Sequence, residues 1–145
     1  MATFAIGDIH RNIRALDDLL AHISPEVDAA DTVVFLGDYI DRGPDSRGCV
    51  ERILDFRQTA KARVITLLGN HEQWLLQTYR NHTRHSGILS MQGFTTIQSY
   101  SREAAAKLDE EFAALGPRIV LERVSIPCQI FFDPSQQSTW RSFHP

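Results

Sequence analysis

The sequence lacks most of what marks a secreted, membrane-spanning or nucleic-acid-binding protein. It has only two cysteines, Cys49 and Cys128. That is too few for a disulfide framework and points to reduced thiols inside a cell. It has no apolar run long enough to cross a bilayer. The opening residues 1–6 carry no basic stretch and run straight into Gly7 and Asp8, so no signal peptide is expected. Charge of either sign is also scarce in excess: 15 Lys and Arg against 18 Asp and Glu leave a formal net charge of -3. No general field therefore draws a nucleic acid or an anionic membrane. The expected setting is the cytoplasm, with neither nucleic acid nor membrane as a partner. What is present is ordinary for a single soluble domain: 145 residues, 43% hydrophobic and 23% charged.

The chain is organised around Gly37-Asp38-Tyr39-Ile40-Asp41-Arg42-Gly43. An apolar run, Thr32-Val33-Val34-Phe35-Leu36, precedes it and reads as a buried strand. The same device occurs twice more. Phe4-Ala5-Ile6 leads into Gly7-Asp8-Ile9-His10, and Arg63-Val64-Ile65-Thr66-Leu67-Leu68 leads into Gly69-Asn70-His71-Glu72. Between the strands lie two amphipathic segments. Asn12 opens the first, with Ile13, Leu16, Leu19, Leu20 and Ile23 as its apolar stripe and Pro25 as its stop. The second runs from 46 to about 57 and is marked by Cys49, Val50, Ile53, Leu54 and Phe56. The fold class is α/β: a βαβαβ unit with a parallel sheet and right-handed crossovers. Its three polar tips then meet at one sheet edge, where open α/β sheets place ligands. In an extended segment Asp8 and His10 point the same way and can converge on a cation. A strand end bearing Asp38, Asp41 and Arg42 can hold a cation and an anion together, as a metal-assisted phosphate site requires.

Past the third tip a helix is expected after Glu72 through Trp74, Leu75, Leu76 and Tyr79. His22, beside the first apolar stripe, is expected to pack or cap. His82 and His85 have H-x-x-H spacing with no second pair and are read as surface residues. Residues 94–100 are ambiguous between helix and loop, and Ser101 caps an Ala- and Glu-rich helix over 102–115. Beyond Gly116-Pro117 the pattern fades. Residues 119–121 and 130–132 could be short strands, and the Ser-, Gln- and Thr-rich end looks poorly packed.

The motifs GDIH at 7–10, GDYIDRG at 37–43 and GNHE at 69–72 together resemble the calcineurin-like metallophosphoesterases. GDYIDRGPDSRG is most similar to the branch of serine/threonine protein phosphatases and bacterial diadenosine tetraphosphatases. The match covers residues 3 to about 80 strongly. The resemblance implies the N-terminal half of an αββα sandwich and a single domain with a metal-site core over 1–80, a helical cap region over 81–117 and an atypical tail over 118–145. It implies two divalent ions, manganese first, with iron or zinc as alternatives. Asp8 and His10 would bind one metal, Asp38 would bridge both, and Asn70 would bind the second through its amide oxygen. A water shared by the two ions would be the nucleophile. Arg42 would clamp phosphate oxygens, His71 would protonate the leaving group, and Asp41 would orient His71. The implied substrate is a phosphoprotein, a dinucleoside polyphosphate or a small phosphomonoester.

The family pattern also includes later histidines, in a motif like V-H-A-G and in a G-H pair. Neither occurs here, and after His85 the one histidine is His144. The chain therefore reads as an N-terminal piece, with a change of reading frame after Leu115 as the explanation of the tail and an uncovered sheet face or edge as a consequence. A remnant that binds metal, phosphate or a partner without turnover is the alternative to a working hydrolase.

Overall fold

The computed structural model describes residues 1–80 and 93–115. The chain divides into two compact units, Met1–Glu72 and Gln73–Pro145. The first holds three parallel strands, β1 (Thr3–Ile6), β2 (Thr32–Phe35) and β3 (Arg63–Thr66), in the spatial order β1-β2-β3. Phe35 aligns with Ile6 on one side and Thr66 on the other, so the three strands end level. The parallel βαβαβ unit read from the sequence is the one observed.

Two helices connect the strands, α1 (Ile13–Ile23) and α2 (Ser46–Thr59), and they pack on each other. Each starts at a side-chain cap that accepts an otherwise unpaired amide. The Asn12 side chain accepts from the Ala15 N–H, and the Asp45 carboxylate accepts from the Gly48 N–H at 2.8 Å. Strand alternation puts Val33 and Phe35 on one sheet face, both fully buried, and the Phe35 ring meets the Phe56 ring of α2 edge to face at 6.1 Å. Leu16, Leu20, Val50 and Ile53 complete this core. Burying each such side chain contributes about 2 kcal/mol. On the opposite face Leu36 and Leu67, the first residues past β2 and β3, stay 50% and 45% exposed.

Some elements differ from the sequence reading. Helix α2 runs to Thr59 and β3 stops at Thr66. Leu19 is 39% exposed and leaves the apolar stripe to Leu16, Leu20 and Ile23. His22 is exposed, in the last turn of α1, and does not pack. Helix α3 (Asn70–Arg80) begins at Asn70, before Glu72, which puts His71 and Glu72 in its first turn.

In the second unit, Leu75 and Thr78 of α3 are buried. The ambiguous segment is helical, α4 (Gly93–Tyr100), and it packs on α5 (Arg102–Leu115) through buried Thr96, Ile97, Ala104 and Leu108. Ser101 caps α5, its hydroxyl accepting from the Ala104 N–H at 3.1 Å. No helix among the described residues is long and apolar enough to cross a membrane. His82, His85 and the expectations for the tail lie outside the described residues.

Candidate metal centre

Three loops leave the level ends of β1, β2 and β3, and the backbone itself brings them together. Gly37 has φ +105°, and a Cβ there would strike the backbone of Gly69; a Cβ on Gly69 would strike Asp38. Only glycine at both positions lets the second and third loops touch. The first loop is tied to the second by the His10 N–H donating to the Asp38 carbonyl at 2.8 Å and the Arg11 N–H donating to the Tyr39 carbonyl at 2.9 Å.

The loops are strained where the polar residues sit. Among the described residues six non-glycines have positive φ: Asp8, His10, Arg11, Asp38, Asp41 and Arg42. Each costs on the order of 1 kcal/mol or more, and such outliers cluster where geometry serves function. This corrects the route by which Asp8 and His10 converge. Their backbone is left-handed, with φ 59° and 42°, and the kinks aim both side chains where strand alternation was expected to do so.

The convergence itself is present. Asp8, His10 and Asp38 each offer a ligand atom, and these atoms lie within 4.8 Å of one another. His10 Nδ1 lies 3.1 Å from the Ile40 carbonyl, which can only accept, so Nδ1 carries the proton. His10 Nε2 lies 3.1 Å from Arg42 Nη1, which can only donate, and 2.8 Å from Asp8 Oδ1. The lone pair that suits Arg42 therefore faces a carboxylate oxygen. Asn70 stands beside Asp38 and can turn either end of its amide toward it. With its nitrogen turned toward Asp38 it donates to both carboxylate oxygens at 3.3 Å; with its oxygen turned that way, three acceptors face one another. Asp38 Oδ1 also accepts from the His71 N–H at 3.3 Å, so Asp38 caps the first turn of α3 as well.

A second group sits beside the first. His71 Nδ1 lies 2.8 Å from Asp41 Oδ2, with both side chains buried, and the His71 ring meets the His10 ring edge-on at 4.9 Å. The structure thus brings all seven residues singled out in the sequence into one neighbourhood. Asp8 and Arg42 are exposed at its rim; Asp41 and His71 are buried.

The chain matches the family model for calcineurin-like phosphoesterases over residues 1–135. It belongs to that family. Bis(5'-nucleosyl)-tetraphosphatase, symmetrical, of Pectobacterium carotovorum is 37% identical over 87 residues, which is 59% of this chain and 28% of that protein. The same enzyme of Cellvibrio japonicus is 38% identical over 79 residues, 54% of this chain and 27% of that protein. The zinc-dependent endopolyphosphatase of Saccharomyces cerevisiae is 26% identical over 129 residues, 83% of this chain and 37% of that protein. The chain thus spans well under half the length of these relatives.

For a calcineurin-like phosphoesterase the residues present fit a divalent cation. Carboxylate, imidazole and amide oxygen are the donors that manganese, iron and zinc accept. The close approach of Asp8 Oδ1 to the Nε2 lone pair of His10 is an arrangement a cation resolves. The Ile40 carbonyl on Nδ1 fixes the tautomer of His10 and leaves Nε2 as the nitrogen able to bind a cation.

Three residues to which the sequence reading gives no role belong to this site. Tyr39 is fully buried, and its hydroxyl lies 2.6 Å from the Leu67 carbonyl and 3.1 Å from the Phe35 carbonyl, tying the ends of β2 and β3. Arg11 is 4% exposed; burial pulls its guanidinium down in pKa, and the charges of Asp41 and Asp45 pull it back up. Glu72, present in the sequence reading only as the last letter of its motif, is fully buried. Burial pushes its carboxyl above the usual range, against four hydrogen bonds from the amides of Asp38, Tyr39, Ile40 and Gly69. The signal that could have marked Glu72 is its place two residues into a helix that starts immediately at a strand tip.

Proposed function

We propose that the chain carries the metal-site core of a phosphoesterase that hydrolyses phosphate esters or anhydrides. The observation that carries this reading is the opposition of His10 Nε2 to Asp8 Oδ1, 2.8 Å apart beside Arg42. It pairs a cation-demanding donor set with a guanidinium suited to phosphate. Asp8 and His10 would hold one divalent cation, and Asp38 with the amide oxygen of Asn70 would hold a second. When bound, the ions supply Lewis acidity toward a phosphoryl oxygen and activate water. Arg42 grips phosphoryl oxygens through its planar fork and offsets the charge that develops on them. His71 directs Nδ1–H at Asp41 and, when its ring carries both protons, gives the one on Nε2 to the departing oxygen; the proton released by the attacking water restores the balance. The bond formed joins water oxygen to phosphorus; the bond broken joins phosphorus to the leaving oxygen.

The relatives act, by their names, on bis(5'-nucleosyl) tetraphosphates and on polyphosphate, so phosphoanhydrides head the substrate classes, ahead of phosphoproteins and small phosphomonoesters. Manganese is the first metal to supply, then iron and zinc. A metal-site core over 1–80, a cap region over 81–117 and a tail over 118–145 belong to this reading, with substrate selectivity assigned to the cap and to the part of the relatives that this chain does not span, and the cytoplasm is its compartment.

The test is phosphate release from a bis(5'-nucleosyl) tetraphosphate, polyphosphate and p-nitrophenyl phosphate with added Mn²⁺. Turnover that disappears in Asp38→Asn and His71→Ala is expected, at rates far below those of a full-length relative. Metal binding without any turnover would leave the chain a binding remnant and remove the hydrolase reading.

A further inference from the structure

Glu72 accepts from four backbone amides and touches none of the residues proposed to meet substrate with its own side chain. Oε1 accepts from the N–H groups of Tyr39 and Ile40 at 2.8 and 3.2 Å. Oε2 accepts from those of Asp38 and Gly69 at 2.8 and 2.9 Å. Three of the donors are consecutive, and the first belongs to a residue with φ 57°. Successive amides converging in this way form a nest, a concavity that binds anions. Here the anion is internal to the fold, supplied by the first turn of α3.

We infer that Glu72 is a positioning residue that fills this amide nest and so holds Asp38 in the left-handed turn that aims its carboxylate at Asn70 and toward His10. The inference rests on the reading that Asp38 and Asn70 hold a cation. The donors explain why the effect is specific. One is the amide of Asp38 itself, and another is that of Gly69, the residue before Asn70. Both proposed ligands of the second ion are therefore placed from one carboxylate. Strand-end tethering alone does not require it, because the Tyr39 hydroxyl already joins β2 and β3 through the Phe35 and Leu67 carbonyls. A glutamine in place of Glu72 would turn an NH₂ group toward two N–H donors and open the nest while conserving its volume.

Two measurements test this on the whole chain. Amide hydrogen exchange should show Asp38, Tyr39, Ile40 and Gly69 protected as a group in the parent and released together in Glu72→Gln. Mn²⁺ titration should show affinity lowered by about 10- to 100-fold in Glu72→Gln, and by no more than about twofold in Ile53→Val, a core variant away from the strand tips. Equal losses of affinity in the two variants, tracking their losses of stability, would make Glu72 merely structural and overturn the inference. Should Glu72→Gln not fold, the parent decides: exchange of the four amides at unrelated, loop-like rates would overturn the nest. A parent that protects the four amides yet binds no Mn²⁺ refutes the metal-site reading, and with it the claim that Glu72 positions a ligand, while the nest itself stands.

Discussion

The imidazole of His71 and the carboxylate of Asp41 lie 2.8 Å apart, with side chains only 1% and 4% exposed. They come from different strand tips, so the pair exists only because the tips meet. Asp41 is held in turn by its own N–H donating to the Ser46 hydroxyl at 3.3 Å, at the start of α2. A histidine oriented in this way has one nitrogen committed and one to spare.

Asp41→Asn keeps the shape of this pair but replaces an acceptor-only group with one that can also donate. The general-acid role proposed for His71 then loses its fixed orientation. Turnover of p-nitrophenyl phosphate in Mn²⁺ is expected to fall by about 10²- to 10⁴-fold, with KM little changed. A loss confined to KM would assign Asp41 to binding.

Away from the site, Asp31 gives a pH-dependent stability whose sign is fixed. Its carboxylate accepts from the Asp28 N–H at 3.0 Å and the Ala2 N–H at 2.6 Å, and these bonds hold its pKa below the ordinary 3.8. A depressed carboxyl contributes stability above its unfolded value and loses it as the pH falls through the folded one. The urea midpoint of the parent should therefore exceed that of Asp31→Asn at pH 7, keep its lead down to about pH 4, and lose it below. A lead that widens on acidification would contradict the assignment.

Cys49 provides a probe of core integrity. It has no exposure, and burial, with Asp45 and Asp17 nearby, pushes its thiol up to about 12 despite Arg11. In a Cys128→Ala background, iodoacetamide at pH 8 should leave the folded chain unmodified and label Cys49 only in denaturant. Rapid labelling of the native chain would show that α2 does not pack as described.

The strands and the meeting of their tips were legible because apolar runs ending in glycine and then Asp or Asn fix both strand and edge. Helices α1, α2 and α5 were legible from their stripes and caps. What was not legible is conformational. Sequence gives no sign that Asp8, Asp38 and Asp41 would adopt left-handed φ, since glycine is the residue that signals it. Glu72 was hidden for a related reason. A carboxylate among polar residues reads as a ligand or a solvated group, and its partners are backbone amides that carry no side-chain signature. Helix α3 starting at Asn70 went unread because its opening residues resemble a loop while serving the site.

The claim at the centre of this account is that three strand tips build a cation site on Asp8, His10, Asp38 and Asn70. Calorimetric titration of the purified chain with Mn²⁺ tests it directly. Saturable binding that is abolished in Asp38→Asn, with the fold retained by circular dichroism, is the expected result. No saturable binding by the parent chain, or binding that Asp38→Asn leaves intact, would contradict it.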